Sequence, residues 1–195
     1  MHPSLAPRPQ GRRLTLNTVV RRHQIEATRT RSLWEDESEL HSAELVERFS
    51  DAVRRAIPDA RLTWALSWGA LTDDSMRYRD IRLLLRDIVA ERGDDVTFVP
   101  GGFFANLYGS REDVAQEIAD ALRVIEDEIG VAATSLVAGF LSAENIARAR
   151  TLGVRTVQGN IWSQFDIDLQ DGDGSIAYPY YPSPHHFLVP GRGDG

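Results

Sequence analysis

Apolar residues recur along this chain in two alternating periods, and the alternation predicts its elements. Residues 13–20 (RLTLNTVV) are β-branched and apolar, which predicts a first strand. Over 42–57, Leu45, Val46, Phe49, Ala52, Val53 and Ile57 share one helical face, with Ser42 as N-cap and Pro58 as terminator. Residues 60–71 (ARLTWALSWGAL) predict a second strand. Asp73 or Asp74 then caps a helix carrying Ile81, Leu84, Leu85 and Ile88, and Gly93 closes it. Residues 96–100 (VTFVP) form a short buried strand. Ser110 and Asp113 open a capping-box pattern, and the helix behind it carries Val114, Ile118, Leu122, Ile125 and Ile129 on one stripe. Residues 134–140 predict a fourth strand, Ser142 caps a short helix that ends at Gly153, and 154–158 are a fifth strand.

Strands alternating with helices across short loops predict an α/β fold, a parallel (β/α) repeat with about five strands. No GxGxxG follows the first strand, which argues against a dinucleotide-binding sheet. Trp64, Trp68, Phe103, Phe104, Phe140 and Trp162 gather at strand ends and fit the mouth of a partial or distorted TIM-like barrel. The expected organisation is a flexible tail over 1–11 and a barrel-like domain over 12–163. An Asp-rich and aromatic loop with a C-terminal tail, 164–195, belongs to the same domain. Residues 21–37, with His23, Glu26, Trp34, Asp36 and Glu37, read as a long polar connection.

Composition narrows the chemistry. The 195 residues contain no cysteine and no lysine, so thiol nucleophiles, Cys-ligated metals, Schiff bases and the P-loop lysine are all excluded. A formal net charge of -7 argues against nucleic acid as a partner. No run reaches the ~18 apolar residues of a membrane span, and the first residues lack the apolar core of a signal peptide, so the expectation is a cytoplasmic protein with no membrane partner. A sheet of about five parallel strands leaves an edge. That predicts either a homo-oligomer or a further C-terminal segment covering it.

The stretches TWALSWGAL, VTFVPGGFFAN, AGFLSAENI and QGNIWSQFDIDLQDGDGSIAYPYYPS resemble an uncharacterised bacterial family. That family is grouped with the glycoside hydrolase/deacetylase β/α-barrels, the polysaccharide deacetylase-like superfamily. The similarity spans roughly 13–190. It implies a carbohydrate-active hydrolase or deacetylase with its site at the C-terminal strand ends, or a carbohydrate-binding or scaffold protein that keeps the barrel without catalysis. The superfamily's HxxxH metal motif is absent, and its adjacent Asp pair has no counterpart at the end of the first strand. Metal-dependent deacetylation therefore does not carry over residue by residue.

The residues nominate their own candidates. Glu26 after the first strand, with Asp166 or Asp168 after the fifth, are the catalytic carboxyls that could meet across a barrel mouth. Trp68, Asn106, Asn160, Trp162, Tyr180 and Tyr181 are the substrate-binding candidates, aromatic faces stacking on sugar rings while amides bond hydroxyls. His23, Asp171 and Asp173 are the candidate ligands of a divalent metal. The Asp spacing departs from a calcium loop, and Gly-Asp turns form equally well without an ion. The expected ligand is a carbohydrate or another small molecule.

Overall fold

The computed structural model describes residues 16–103, 105–158, 181–185 and 191. Strand β1 (Leu16–Val20) leads into an antiparallel hairpin, β2 (His23–Thr28) and β3 (Arg31–Asp36). The later strands are β4 (Leu62–Leu66), β5 (Asp95–Phe98), β6 (Ser135–Val137) and β7 (Thr156–Gln158). Between them lie α1 (Ala43–Ala56), α2 (Trp68–Thr72), α3 (Met76–Arg92), α4 (Arg111–Ile129) and α5 (Ala143–Thr151).

The five strands expected from the sequence are β1, β4, β5, β6 and β7. They form two parallel ladders, β1–β4–β5 and β6–β7, with Leu16 opposite Leu62, Trp64 opposite Val96 and Ser135 opposite Thr156. Side chains join the ladders: Thr97 Oγ1 donates to the Ser135 carbonyl, and Ser135 Oγ donates to Asp95 at 2.6 Å. The outer strands also meet, because Asn17 on β1 donates its side-chain amide to Gln158 on β7. Among the described residues no backbone ladder closes this circuit, so the fold is mixed α/β with an open parallel sheet rather than a demonstrated barrel.

Burial explains the elements. Leu62, Trp64 and Leu66 of β4 are buried, as are Val96 and Phe98 of β5, and Ile81, Leu85, Ile118 and Ile125 cover them from α3 and α4. Each such side chain contributes on the order of 1.5–3 kcal/mol. At the N-terminal end of the sheet, buried Asp94 accepts from Leu62 N at 3.0 Å and Trp64 Nε1 at 2.9 Å, and Arg54 also donates to it.

Four local expectations are corrected. Trp68–Thr72 is helix rather than strand, because Ser67 Oγ caps it by accepting from Ala70 N at 3.2 Å. The N-cap of α3 is Ser75, and Asp73 instead ends α2 while accepting from Ser75 N. Helix α1 buries a narrower stripe than its pattern implies, since Leu45, Phe49 and Ile57 stay partly exposed. The segment expected as a connection is the β2–β3 hairpin. Ser42, Ser110 and Ser142 cap α1, α4 and α5 as expected. No helix among the described residues is long and apolar enough to cross a membrane.

Candidate functional site

The hairpin lies over the C-terminal end of the β1–β4–β5 sheet and inserts Glu26 beneath itself. Although charged, Glu26 is only 4% exposed. Its Oε1 accepts from Arg22 N at 2.9 Å, His23 N at 3.2 Å and Ser67 Oγ at 2.5 Å, while Oε2 accepts from Gly69 N at 2.5 Å. Four donors from two separate segments thus converge on one carboxylate. Ser67 relays the contact, donating to Glu26 and accepting from Ala70 N. Gly69 is required by space: a Cβ there would come within 2.9 Å of Arg22 Cβ and 3.0 Å of both Glu26 oxygens.

Above this floor a cavity of about 470 Å³ opens between the hairpin and α2. Arg22, His23, Glu26, Arg29, Trp68 and Asp73 line it, with Thr28, Thr30 and Ser32 along the hairpin side. Arg22 is fixed by Asp73 at 2.6 Å and faces Asp36 at 3.7 Å. Bonds to Ser38 hold the Asp36 carboxyl below its ordinary value. Burial works against the same shift at Asp73, where the bonds to Ser75 and the Arg22 charge outweigh it.

Arg29 forms the opposite wall. Its guanidinium lies 4.0 Å from the centroid of the Trp68 ring and is held by Asp120 and by Glu117 at 3.5 Å. The Trp68 ring also meets Phe98 edge-on at 6.5 Å. Behind Arg29, the buried Tyr108 hydroxyl donates to Glu117 and accepts from Gly101 N at 3.2 Å. Gly101 holds a left-handed φ of 62°, with Tyr108 packed 3.3 Å from where a Cβ would stand.

Burial raises the Glu117 carboxyl above its ordinary value, with Glu26 adding repulsion, against the opposing pull of Tyr108 and Arg29. As pH rises past the ordinary value of 4.5, the unfolded chain releases this proton before the folded protein does. The stability tied to Glu117 is therefore complete below 4.5 and lost as pH climbs through the raised value. The lowered carboxyls Asp36, Asp73 and Asp120 act on the acid side of 3.8, so the two windows separate. Urea titrations across this range should show stability falling with pH more steeply in the wild type than in Glu117→Gln. Equal slopes would contradict the assignment.

The structure brings together three of the residues nominated from sequence. Glu26, His23 and Trp68 all border the cavity. Tyr181 is 71% exposed and is not among the cavity-lining residues. The backbone of Asn106 belongs to a short 3-10 turn, Ala105–Leu107. Asn160, Trp162, Asp166, Asp168, Asp171, Asp173 and Tyr180 lie outside the described residues. His23 Nδ1 is buried without a hydrogen-bond partner. Among the described residues, however, no three His, Asp or Glu side chains are placed to hold a metal ion, and Glu26 is already committed to four donors. His41 sits elsewhere, its imidazole held below the ordinary value by burial. Sequence reasoning missed Arg29, Ser67, Gly69, Tyr108 and Glu117.

Comparison with known proteins places this architecture. A domain of unknown function with a solved structure, DUF3863, matches residues 7–195. The chain belongs to the DUF3863 family. A crystal structure from Parabacteroides distasonis, described as a "putative glycoside hydrolase/deacetylase", is similar to this DUF3863 chain at 34% identity and a TM-score of 0.81. The match covers 92% of this chain and 42% of the other, so the chain spans less than half the length of that protein. No curated protein matches it.

Proposed function

We propose that this DUF3863 chain is a carbohydrate-active hydrolase, of the glycoside hydrolase or deacetylase kind, with its site at the C-terminal strand ends. The observation carrying the reading is the cavity between the hairpin and α2, in a fold similar at 34% identity to a protein so described. The reading takes the sheet as a distorted TIM-like barrel. The side-chain contact between Asn17 on β1 and Gln158 on β7 supports that curl. Glu26 is the carboxylate at the cavity floor, and Asp166 or Asp168, which follow β7 in sequence, supplies the second carboxyl. Glycoside hydrolysis needs that pair at about 5–5.5 Å or about 6.5–9.5 Å, according to stereochemistry.

One feature favours a second reading, carbohydrate binding without catalysis. A carboxylate holding four hydrogen bonds is well suited to ordering a pocket and poorly placed to exchange a proton. Screening acetylated and plain oligosaccharides for both binding and turnover separates the two. The enzyme reading expects product from the wild type and a loss of roughly 100-fold or more in Asp166→Asn or Asp168→Asn. Ligands bound but never converted would establish the binding reading instead.

A further inference from the structure

The aromatic ring that fills the cavity wall is already engaged, whereas another stands open on β3. Trp68 carries Arg29 on its face and Phe98 at its edge. Trp34, on β3, is 70% exposed and holds a left-handed φ of 67°. Its setting is a β-bulge. Between the paired residues Ile25–Leu33 and His23–Asp36, β2 has only Gln24 while β3 has Trp34 and Glu35. Glycine is the usual occupant of a left-handed bulge position, and a bulky side chain there is strained. A large apolar ring is therefore kept in solvent at a backbone position that disfavours it. Folding alone gives no reason for the choice, because the ring is not buried.

Position supplies one. Ser32, two residues before Trp34, lines the cavity, and Asp36, two residues after it, faces the cavity residue Arg22 at 3.7 Å. With an advance of about 3.3 Å per strand residue, Trp34 stands within roughly 7 Å of both along the chain. Its exposed neighbours on β3 are Arg31, Ser32, Glu35 and Asp36, all polar or charged. A ring set among these hydrogen-bonding neighbours on β3 suits a ligand with apolar faces and many hydroxyls better than it suits a protein surface. Resting on the carbohydrate reading above, we infer that Trp34 is an outer stacking platform and that the ligand is a saccharide chain running from the cavity across β3. The substrate class is thereby an oligo- or polysaccharide rather than a single sugar.

The test uses Trp34→Ala, Trp34→Gly and Trp34→Phe, with xylan, mixed-linkage β-glucan, glycol chitin and their constituent monosaccharides as probes in affinity electrophoresis and calorimetry. Polysaccharide binding should weaken about tenfold in the alanine and glycine variants and less in the phenylalanine one, with monosaccharide binding unchanged. The glycine variant should melt above the alanine variant, since glycine takes the left-handed backbone without a clash. Variants that bind polysaccharide as the wild type does overturn the inference. A wild type that binds monosaccharides alone overturns it and leaves the proposed function standing, and one that binds neither removes both. Self-association lost on Trp34→Ala would assign the ring to a protein contact and overturn it as well.

Discussion

Glu26→Ala should lower the unfolding free energy by about 3–5 kcal/mol, since donors buried without a partner cost roughly 1–3 kcal/mol apiece and cavity water satisfies part of the set. The carboxylate connects Arg22 N and His23 N at the entry to the hairpin to Ser67 Oγ and Gly69 N at the start of α2. Its removal releases both sides of the cavity together. Glu26→Gln should cost less, because the amide keeps one acceptor and turns its NH2 against a donor. Gly69→Ala should resemble the glutamine variant by another route, since its Cβ would press to 3.0 Å from the carboxylate. Denaturant titration measures all three. An alanine variant within about 1 kcal/mol of wild type would mean that the four bonds are not formed in solution. Ligand binding measured on the folded fraction of Glu26→Gln then reports what the site loses beyond stability.

The parallel strands and their helices were legible because their signals are local and agree with one another. Ser42, Ser110 and Ser142 each precede an apolar stripe and each caps a helix. The hairpin was not legible, and its residues show why. Residues 24–28 (QIEAT) alternate polar and apolar, but over only five positions and with one large apolar side chain. Glu26 is buried together with Ile25 and Ala27, so the polar position of that pattern does not mark the solvent face. Its turn passes through Arg29 and Thr30, without the Asn-Gly or Asp-Gly pair that announces a tight hairpin. The bulge places tryptophan where glycine would have been the clue. Glu26 could be nominated as a lone carboxylate after the first strand. Its partner Ser67 stands 41 residues away, and nothing local in LSWGA indicates that its hydroxyl serves a distant glutamate. Arg29, Tyr108 and Glu117 escaped for the same reason, since the network they form exists only after α4 packs beside the hairpin.

Asp94 provides the matching experiment at the other end of the sheet. Its carboxylate side chain is fully buried and takes Leu62 N, Trp64 Nε1 and Arg54 as donors. Asp94→Ala leaves the indole N–H of a tryptophan that is 1% exposed without an acceptor, and strips Arg54 of its buried counter-charge. The expected loss is about 3–5 kcal/mol, comparable with Glu26→Ala. Asp94→Asn should fall between that variant and wild type, because its amide group meets a donor in either orientation. The two carboxylates are alike in burial and in the number of segments they join, yet five residues of β4, roughly 16 Å of strand, separate their ends of the sheet. A ligand held over the C-terminal end should sense one and not the other. Ligand affinity per folded molecule should therefore stay within about threefold of wild type in Asp94→Asn and drop in Glu26→Gln at equal residual stability. If both variants lost affinity in proportion to stability alone, the cavity would not be the binding site. If Asp94→Asn alone lost it, the site would belong at the N-terminal end of the strands.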